Sequence, residues 1–194
     1  SASIDMGQSR ADLVPDPSIL ANIFDGVIDP SLWENEVNFG MDSGGCNALA
    51  PSVTIDLRAE YFIHQVSFWN YYKDARRYCA QRVALSTTGA FDDEAGDIYN
   101  TGTSYAPANT AAGTTVVVSK GGKPARYVRF WSGRSDKNPG VHMLEVAING
   151  ARIYDGVVIF GTSKTVPVSV PLVGAHVSPV LGYFHACNSL GCST

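Results

Sequence analysis

The chain has 194 residues, of which 16% are charged, and its formal net charge at neutral pH is −4. This mildly acidic balance argues against nonspecific binding to nucleic acid. No apolar run approaches the roughly 18 residues that a membrane-spanning helix needs. The length suits one large all-β domain with a core that can bury enough apolar surface to fold unaided.

In chain order, the sequence predicts a polar, extended lead-in over residues 1–17 and a short helical turn over 18–24. A long loop rich in Gly, Asn and Asp is expected over 34–52. Strands are predicted at 53–57, 62–70, 81–87, around Ile98, and at 114–119, 126–131 and 141–149. Many short strands joined by long loops predict an all-β, jelly-roll β-sandwich. Trp33 and Trp69 fall on apolar stretches and are predicted to lie in the core.

The clearest strand pattern is that of 126–131, where Tyr127 and Arg129 alternate with Val128 and Phe130. Such alternation indicates one buried and one exposed face. A polar loop follows, and the next predicted strand carries Glu145 within an apolar run. Since a buried, unpaired charge is costly, Glu145 is expected to have a partner, and a cation is one candidate.

The C-terminal part, 156–194, contains two further predicted strands, at 157–160 and 165–173. Pro167 and Pro171 favour an edge or a bulge for the second of these strands. The segment is either an extension packed on the sandwich or the start of another domain.

Four cysteines are present, and two of them, Cys187 and Cys192, are separated by a segment that a short turn could close. Cys46 and Cys79 would then pair by elimination. Four cysteines allow three connectivities, and the sequence does not choose among them. Disulfides in an oxidising compartment are favoured over four buried free thiols.

Catalytic motifs give little support to an enzyme. Nucleophile-elbow, Ser-x-x-Lys and phosphate-binding loop patterns are absent from the sequence, and its four histidines are scattered. The chain is therefore not expected to be an enzyme.

The sequence contains five motifs that are weak individually but informative together, because of their order and spacing. They are Asp25-Gly26 followed by Ser31 and Trp33, Val53 to Leu57, Ile63 to Trp69, Gln81 to Phe91, and Leu144-Glu145 followed by Asn149-Gly150. Together they resemble the discoidin, or coagulation factor 5/8 type C, domain of the galactose-binding-like group, which includes carbohydrate-binding modules of family 32. The resemblance covers roughly residues 18–155 and implies a galactose-binding-like β-sandwich.

The resemblance also implies a structural calcium site. It assigns side-chain ligands to Asp25, Ser31 and Glu145, and backbone carbonyls to Asn22, Val27 and Leu144. This set suits calcium, which takes carboxylate, hydroxyl and carbonyl oxygens. Val27 departs from the family, in which many members carry Asn or Asp. The alternative is that Asp25 and Glu145 only accept hydrogen bonds from turns.

The expected ligand surface consists of two loops, 71–78 and 131–138, which in sugar-binding relatives lie at one end of the sandwich. Their cations, carboxylates and aromatic rings are suited to sugar hydroxyls and sugar CH faces. The predicted ligand-binding residues are Tyr71, Tyr72, Lys73, Asp74, Arg76, Arg77, Arg82, Trp131, Arg134 and Asp136. Arg82 resembles the second arginine of the fucose-binding branch, but Tyr71 follows Asn70 where that branch has its first. The alternative is a solvated loop whose tyrosines cover the sandwich edge.

The resemblance thus predicts an extracellular, lectin-like recognition or adhesion module, secreted or on the cell surface. Galactose-type, fucose-type and acidic glycans are the candidate partners. The alternatives are an adhesion module that binds protein or phospholipid, and a structural domain without a ligand of its own.

Overall fold

The structure is a computed structural model that describes residues 2–5, 17–31, 37–41, 45–46, 50–91, 96–154, 157–159, 187–188 and 191–192. The chain divides into two units, residues 1–160 and 161–194. In the first unit, a 3₁₀ helix spans Pro17–Phe24. The strands of this unit are β1 (Ala2–Asp5), β2 (Val37–Met41), β3 (Ser52–Asn70), β4 (Arg82–Ser86), β5 (Asp97–Asn100), β6 (Thr114–Val117), β7 (Lys123–Trp131), β8 (Gly140–Tyr154) and β9 (Val157–Ile159).

Two layers of antiparallel strands are joined through the long strand β3. Residues 52–55 of β3 pair with β1, and residues 52–56 and 61–63 pair with β7. β7 also pairs with β4, which pairs with β5. Residues 61–70 pair with β8, and residues 65–68 also pair with β6. Between these parts Arg58 has a positive φ of 68°, and the register with β7 shifts. The predicted strands 53–57 and 62–70 are therefore two halves of one bent strand.

The core lies between the two layers. In the first layer, Val53, Val83 and Phe130 are paired in one row across β3, β4 and β7, and all three are buried. Phe130 contacts Phe68 from the other half of β3 edge to face, with a ring separation of 5.6 Å. This contact ties the layers together and confirms the all-β sandwich. Tyr127 and Arg129 are only half-buried, as the alternation predicted.

Three features differ from the expectations. β2 lies within the predicted loop 34–52 and pairs with the start of β8. β1 lies within the lead-in and pairs with β3. Trp69 is half-buried outside the core: its indole N–H donates to the Ala111 carbonyl at 3.1 Å, and its ring packs against Gly113.

Other expectations are met or fall outside the described residues. The helical turn at 18–24 is the 3₁₀ helix, and 157–160 contains β9. Trp33 and the predicted strand at 165–173 lie outside the described part. In the second unit, Cys187–Asn188 (β10) and Gly191–Cys192 (β11) form an antiparallel pair. No helix in the described part is long and apolar enough to cross a membrane.

Candidate glycan site

The two predicted ligand loops lie side by side. The Cys79 amide donates to the Arg134 carbonyl at 3.1 Å, and the Asp136 amide donates to the Arg77 carbonyl at 2.9 Å. Tyr78 and Ser135 form an isolated β-bridge between these contacts. The fold therefore brings together the segments 71–81 and 132–139 at the end of the sandwich where β3 and β7 stop.

Two charged side chains of the first loop, Arg76 and Asp74, pair with each other. The Arg76 side chain is buried, and it donates to both carboxylate oxygens of Asp74, at 2.9 and 2.8 Å. Its guanidinium also lies 4.3 Å from the centre of the Tyr71 ring. The Arg76 hydrogen bonds hold the pKa of Asp74 below its ordinary value. We infer that Arg76 organises this loop rather than facing a ligand.

His142 from β8 completes this cluster. Its Nδ1 atom lies 3.1 Å from the Tyr78 hydroxyl and 3.3 Å from an Arg76 nitrogen. Arg76 can only donate, so Nδ1 must accept and the ring proton is on Nε2. Burial, and then the nearby Arg76 charge, lowers the pKa of His142 to about 4. The imidazole is therefore neutral at physiological pH.

The other predicted residues of the two loops make separate contacts. Arg77 is half-exposed and its Nε donates to Asp136 at 3.0 Å. The Tyr72 hydroxyl donates to the Ile28 carbonyl at 3.0 Å. Lys73 is exposed and helps to lower the pKa of Asp29, although hydrogen bonds from Ser31 contribute more. Arg134 is half-buried.

A cleft of about 280 Å³ opens beside these loops, at the start of β4 and the ends of β5 and β7. The residues that line it are Ala50, Ala80, Arg82, Asp97, Asn100, Gly102, Thr103 and Trp131. Strand register explains the arrangement, because Arg82 is paired with Trp131 on one side and with Asn100 on the other. Residues paired directly across antiparallel strands point to the same face of a sheet.

The polar groups of this cleft form a connected set. Asp97 accepts a hydrogen bond from Arg82 Nε and another, at 2.6 Å, from the Asn100 side-chain amide. Asn100 Oδ1 in turn accepts from the Gly102 amide at 2.7 Å. The Arg82 guanidinium stacks over the Trp131 ring at 4.3 Å. Of these cleft residues, Arg82 and Trp131 were predicted from the sequence to bind a ligand, whereas Asp97 and Asn100 were not among the predicted residues.

A disulfide joins Cys46 to Cys79, which was the pairing reached by elimination. Cys79 is fully buried and adjoins Ala80, while Ala50 follows Cys46 closely in the chain. Because Ala50 and Ala80 both line the cleft, the bond ties two of its walls together. Cys187 is paired directly opposite Cys192 in the short β10–β11 ladder. Their disulfide remains a prediction, since their side chains lie outside the described residues.

Asp25 and Glu145, the two carboxylates of the predicted calcium site, do come together. Glu145 is buried, and its Oε2 atom accepts from the Gly26 amide at 2.7 Å, while Asp25 accepts from the Val27 amide at 2.8 Å. Burial raises the pKa of Glu145, and the neighbouring Asp25 charge raises it further. Among the described residues, no cationic side chain forms an ion pair with Glu145.

The structure also describes the remaining predicted calcium ligands. Asn22 lies in the 3₁₀ helix, Val27 follows the Gly26 turn, and Leu144 is fully buried beside Glu145. The Ser31 amide donates to Asp29 at 2.8 Å rather than to Asp25 or Glu145. Within the part of the chain that is described, no group of three His, Cys, Asp or Glu side chains could hold a metal. A cation here would therefore need carbonyl or solvent oxygens besides the two carboxylates, which calcium accepts.

Comparison with solved structures defines the class of fold. One similar structure is the family 32 carbohydrate-binding module of AlyQ in complex with 4,5-unsaturated mannuronic acid. The two chains are 19% identical, with a TM-score of 0.55 over 77% of this chain and 93% of that chain. A pectin-binding carbohydrate-binding module is 16% identical, with a TM-score of 0.50 over 77% and 88% of the two chains.

A fucolectin from striped bass (Morone saxatilis) serum is 14% identical, with a TM-score of 0.53 over 78% of this chain and 47% of that chain. The first unit thus has the discoidin-like, galactose-binding-like β-sandwich fold of family 32 carbohydrate-binding modules and fucolectins. No family model matches the sequence. No curated protein matches it either.

Proposed function

We propose that this chain is a lectin-like carbohydrate-binding module that holds a sugar in the cleft beside Arg82 and Trp131. The observation that carries the proposal is the composition of this cleft: an indole, a guanidinium, a carboxylate and a carboxamide converge in about 280 Å³. That volume lies near the lower end of the roughly 300–1,000 Å³ range of ligand pockets. It suits a small, polar ligand such as one sugar residue.

The hydrogen-bonding capacity of the cleft matches that of a sugar. A hydroxyl group is both a donor and an acceptor. Asp97 accepts hydrogen bonds from Arg82 and Asn100. Each of its carboxylate oxygens can accept more than one bond, so that a ligand hydroxyl could also donate to it. Arg82 is oriented through Nε and has further donors on its terminal nitrogens. Neighbouring hydroxyls of one sugar could therefore engage donors and acceptors together.

The structural neighbours support the same class of ligand. Their descriptions name a mannuronic acid derivative, pectin and, for the striped-bass protein, the fucolectin class. The described residues give little support to the alternative that the chain binds a membrane. Their exposed large apolar side chains, Phe24, Tyr105 and Val117, belong to three different segments rather than to one loop tip.

Two charge-matched substitutions test the location of the site. A glycan array on the intact chain first identifies a sugar, and calorimetry then gives its affinity. Arg82→Gln should weaken binding about tenfold or more, since a charged hydrogen bond contributes roughly 1.5–3 kcal/mol. Arg77→Gln removes the same charge from the neighbouring loop and should leave affinity within about twofold. Equal affinities of the parent and Arg82→Gln would place the site elsewhere, and an array without any signal would refute glycan binding.

We also propose one structural calcium ion between Asp25 and Glu145. Two carboxylates meet there, one of them buried, and neither forms an ion pair among the described residues. A bound calcium would neutralise the repulsion between the two carboxylates and would hold the Gly26 turn against β8. The alternative that both groups serve only the turns is supported by their bonds to the Gly26 and Val27 amides.

Thermal unfolding separates these two roles. At a hundredfold excess over its dissociation constant, calcium should stabilise the chain by about 2.7 kcal/mol. Chelator should lower the melting temperature, calcium should restore it, and Glu145→Gln should abolish the response. Glu60→Gln, which alters an exposed carboxylate on β3, is the control and should respond like the parent. An unchanged melting temperature in chelator would support the turn-only role.

We propose an extracellular location, secreted or at a cell surface. The Cys46–Cys79 disulfide supports it, because such bonds persist in oxidising compartments. Non-reducing mass spectrometry of the chain in its native compartment would test this, and free thiols at both positions would contradict it.

A further inference from the structure

A small chamber lies in the core of the sandwich, behind the cleft. Arg82 and Trp131 border both spaces, and their buried neighbours Val83 and Phe130 also border the chamber. Successive residues of a strand point to opposite faces of its sheet. The chamber and the cleft therefore lie on the two sides of β4 and β7.

One polar atom at this chamber has no partner. Gln81 lines the chamber and is only 2% exposed, and among the described residues its buried Oε1 atom has no hydrogen-bond partner. Buried side-chain oxygens are in the large majority of cases paired with the protein or with ordered water. Gln81 Oε1 therefore requires a donor that the described residues do not supply.

The orientation of the Gln81 amide is fixed by its neighbours. Asn70 donates from Nδ2 to the His142 carbonyl at 2.9 Å, and a carbonyl can only accept. The Asn70 atom that faces Gln81, at 2.7 Å, is therefore Oδ1, and it needs a donor. Only Nε2 of Gln81 can donate to it. Exchanging the two ends of the Gln81 amide would place two oxygens against each other, so Oε1 is the end left for the chamber.

The size and the lining of the chamber suit one water molecule. Its volume is about 10 Å³, and roughly 10–15 Å³ of such space holds one water, which also needs roughly two to four polar partners. Besides Gln81, the buried Asn70 and Ser132 side chains border the chamber. The Ser132 hydroxyl donates to the Gly133 carbonyl at 3.3 Å, so its own lone pairs can accept from a water. Among the described lining residues the only charged side chain is that of Arg82, which disfavours a cation.

The backbone of Gln81 connects the chamber to the cleft. Its amide donates to Thr101 Oγ1 at 3.0 Å, and its carbonyl accepts from the Thr101 amide at 2.9 Å. Both Gln81 and Thr101 are flanked on each side by a residue that lines the cleft. These flanking residues are Ala80, Arg82, Asn100 and Gly102. Bonds that hold Gln81 in place therefore hold two walls of the cleft together.

We propose that the chamber binds one water molecule, which donates to Gln81 Oε1 and completes a buried network that positions the cleft. The network runs from the His142 carbonyl through Asn70 to Gln81, and the water closes its free end. Gln81 is thus a positioning residue that acts from the core side of β4. The water site stands without any glycan, and only the use of the positioned cleft rests on the proposed function.

The first test is a high-resolution crystal structure of the intact chain without glycan. A density peak is expected within about 2.5–3.0 Å of Gln81 Oε1, the usual range for such a bond. The peak should also lie within bonding distance of Asn70 or Ser132. A structure without a peak at this position would overturn the inference.

Gln81→Met tests whether Oε1 holds the water and whether Gln81 positions the cleft. It keeps an unbranched side chain but removes both amide groups, so the water should be lost. In NMR spectra, the Arg82 Nε–H and Asn100 side-chain amide signals should shift. Met143→Leu is the matched control, because Met143 also lines the chamber but lies on β8. It should keep the water and leave both signals in place.

Thr101→Val separates positioning from the water itself. It keeps the shape of the side chain but removes the hydroxyl that accepts from the Gln81 amide. The two cleft signals should shift while the water remains. Melting temperatures establish that each variant is folded, and Thr101→Val together with the parent structure decides the matter if Gln81→Met does not fold.

Three further outcomes would contradict the inference. A water at the same position in Gln81→Met would show that Oε1 does not hold it. Cleft signals that stay in place in Gln81→Met or Thr101→Val would remove the positioning role, and equal shifts in Met143→Leu would reduce it to a general disturbance of the core. No result here depends on glycan binding: an array without signal refutes the proposed function alone, and a missing density peak refutes this inference alone.

Discussion

The Tyr71–Tyr78 loop and the cleft beside Arg82 contain similar residues but use them differently. In the loop, the buried Arg76 is hydrogen-bonded to Asp74 and His142 and stacks over the Tyr71 ring. Arg77 is hydrogen-bonded to Asp136. In the cleft, Arg82 is anchored by one carboxylate and stacked on one ring, and it still borders open space. A cluster of cations and tyrosines therefore marks either a binding surface or a self-contained structural cluster, and the packing decides which.

The disulfide links the two regions, and its loss should have the largest effect. Cys46 and Cys79 are 33 residues apart. In the chain-entropy model, closure of such a loop contributes between the roughly 3 kcal/mol of a 15-residue loop and the 4.7 kcal/mol of a 100-residue loop. A Cys46→Ala/Cys79→Ala double variant should lose about 4 kcal/mol of unfolding free energy in urea. It should also lose glycan affinity, because Ala50 and Ala80 line the cleft.

Reductant provides the control for this comparison. It should destabilise the parent and have much less effect on the double variant. A residual shift in the double variant would indicate that Cys187 and Cys192 are bonded to each other. A double variant as stable as the parent would contradict the structural role of the Cys46–Cys79 bond.

Acid should disrupt the loop cluster through His142. The unfolded chain takes up a proton on this side chain near its ordinary pKa of 6.5, whereas the folded chain does so only near 4. The unfolded state therefore binds more protons between these values, and stability falls as the pH drops from about 6.5 to 4. The slope is at most about 1.4 kcal/mol per pH unit, and the total loss is on the order of 3 kcal/mol.

Glu145 acts in the opposite direction, because its pKa is raised in the folded chain. His142→Gln isolates the histidine contribution: the difference in unfolding free energy between parent and variant should change with pH only through this window. A constant difference from pH 7 to pH 4 would contradict the assignment.

Arg76→Gln should have a smaller effect, on stability rather than on binding. It breaks a pair in which Asp74 is 41% exposed, so the cost should be below the roughly 3–5 kcal/mol of a fully buried pair, at about 2 kcal/mol. Calorimetry below the melting transition should give an unchanged glycan affinity. An Arg76→Gln protein that is as stable as the parent and does not bind glycan would reverse the roles of the two regions.

The strands of the sandwich were largely predictable from the sequence, since alternation such as that of Val128 and Phe130 reports a buried face directly. β2 was missed because its Gly and Asn residues indicate a loop, although Val37, Phe39 and Met41 do alternate with them. Its hydrogen bonds come from β8, far away in sequence. The bend at Arg58 is likewise set by the pairing of two layers rather than by a local glycine or proline.

The site was less predictable. Arg82 was proposed from the family resemblance and Trp131 from the composition of its loop. Asp97 and Asn100 come from an edge strand of the described sheet, whose register the sequence does not reveal. The burial of Arg76 could not be predicted from the local sequence either, because Arg76 packs against His142, which lies 66 residues later on β8. Local sequence identifies which residues could bind a sugar, whereas strand register decides which of them share a cleft.

The most direct test of the central claim is an NMR titration of the isotope-labelled chain with the best glycan from the array. The account predicts that the largest shifts are those of the Arg82 Nε–H, the Asn100 side-chain amide and the Trp131 indole, with small changes at Arg76 and Tyr78. Shifts concentrated in residues 71–78, with the three cleft signals unmoved, would contradict it and would make the loop the binding site.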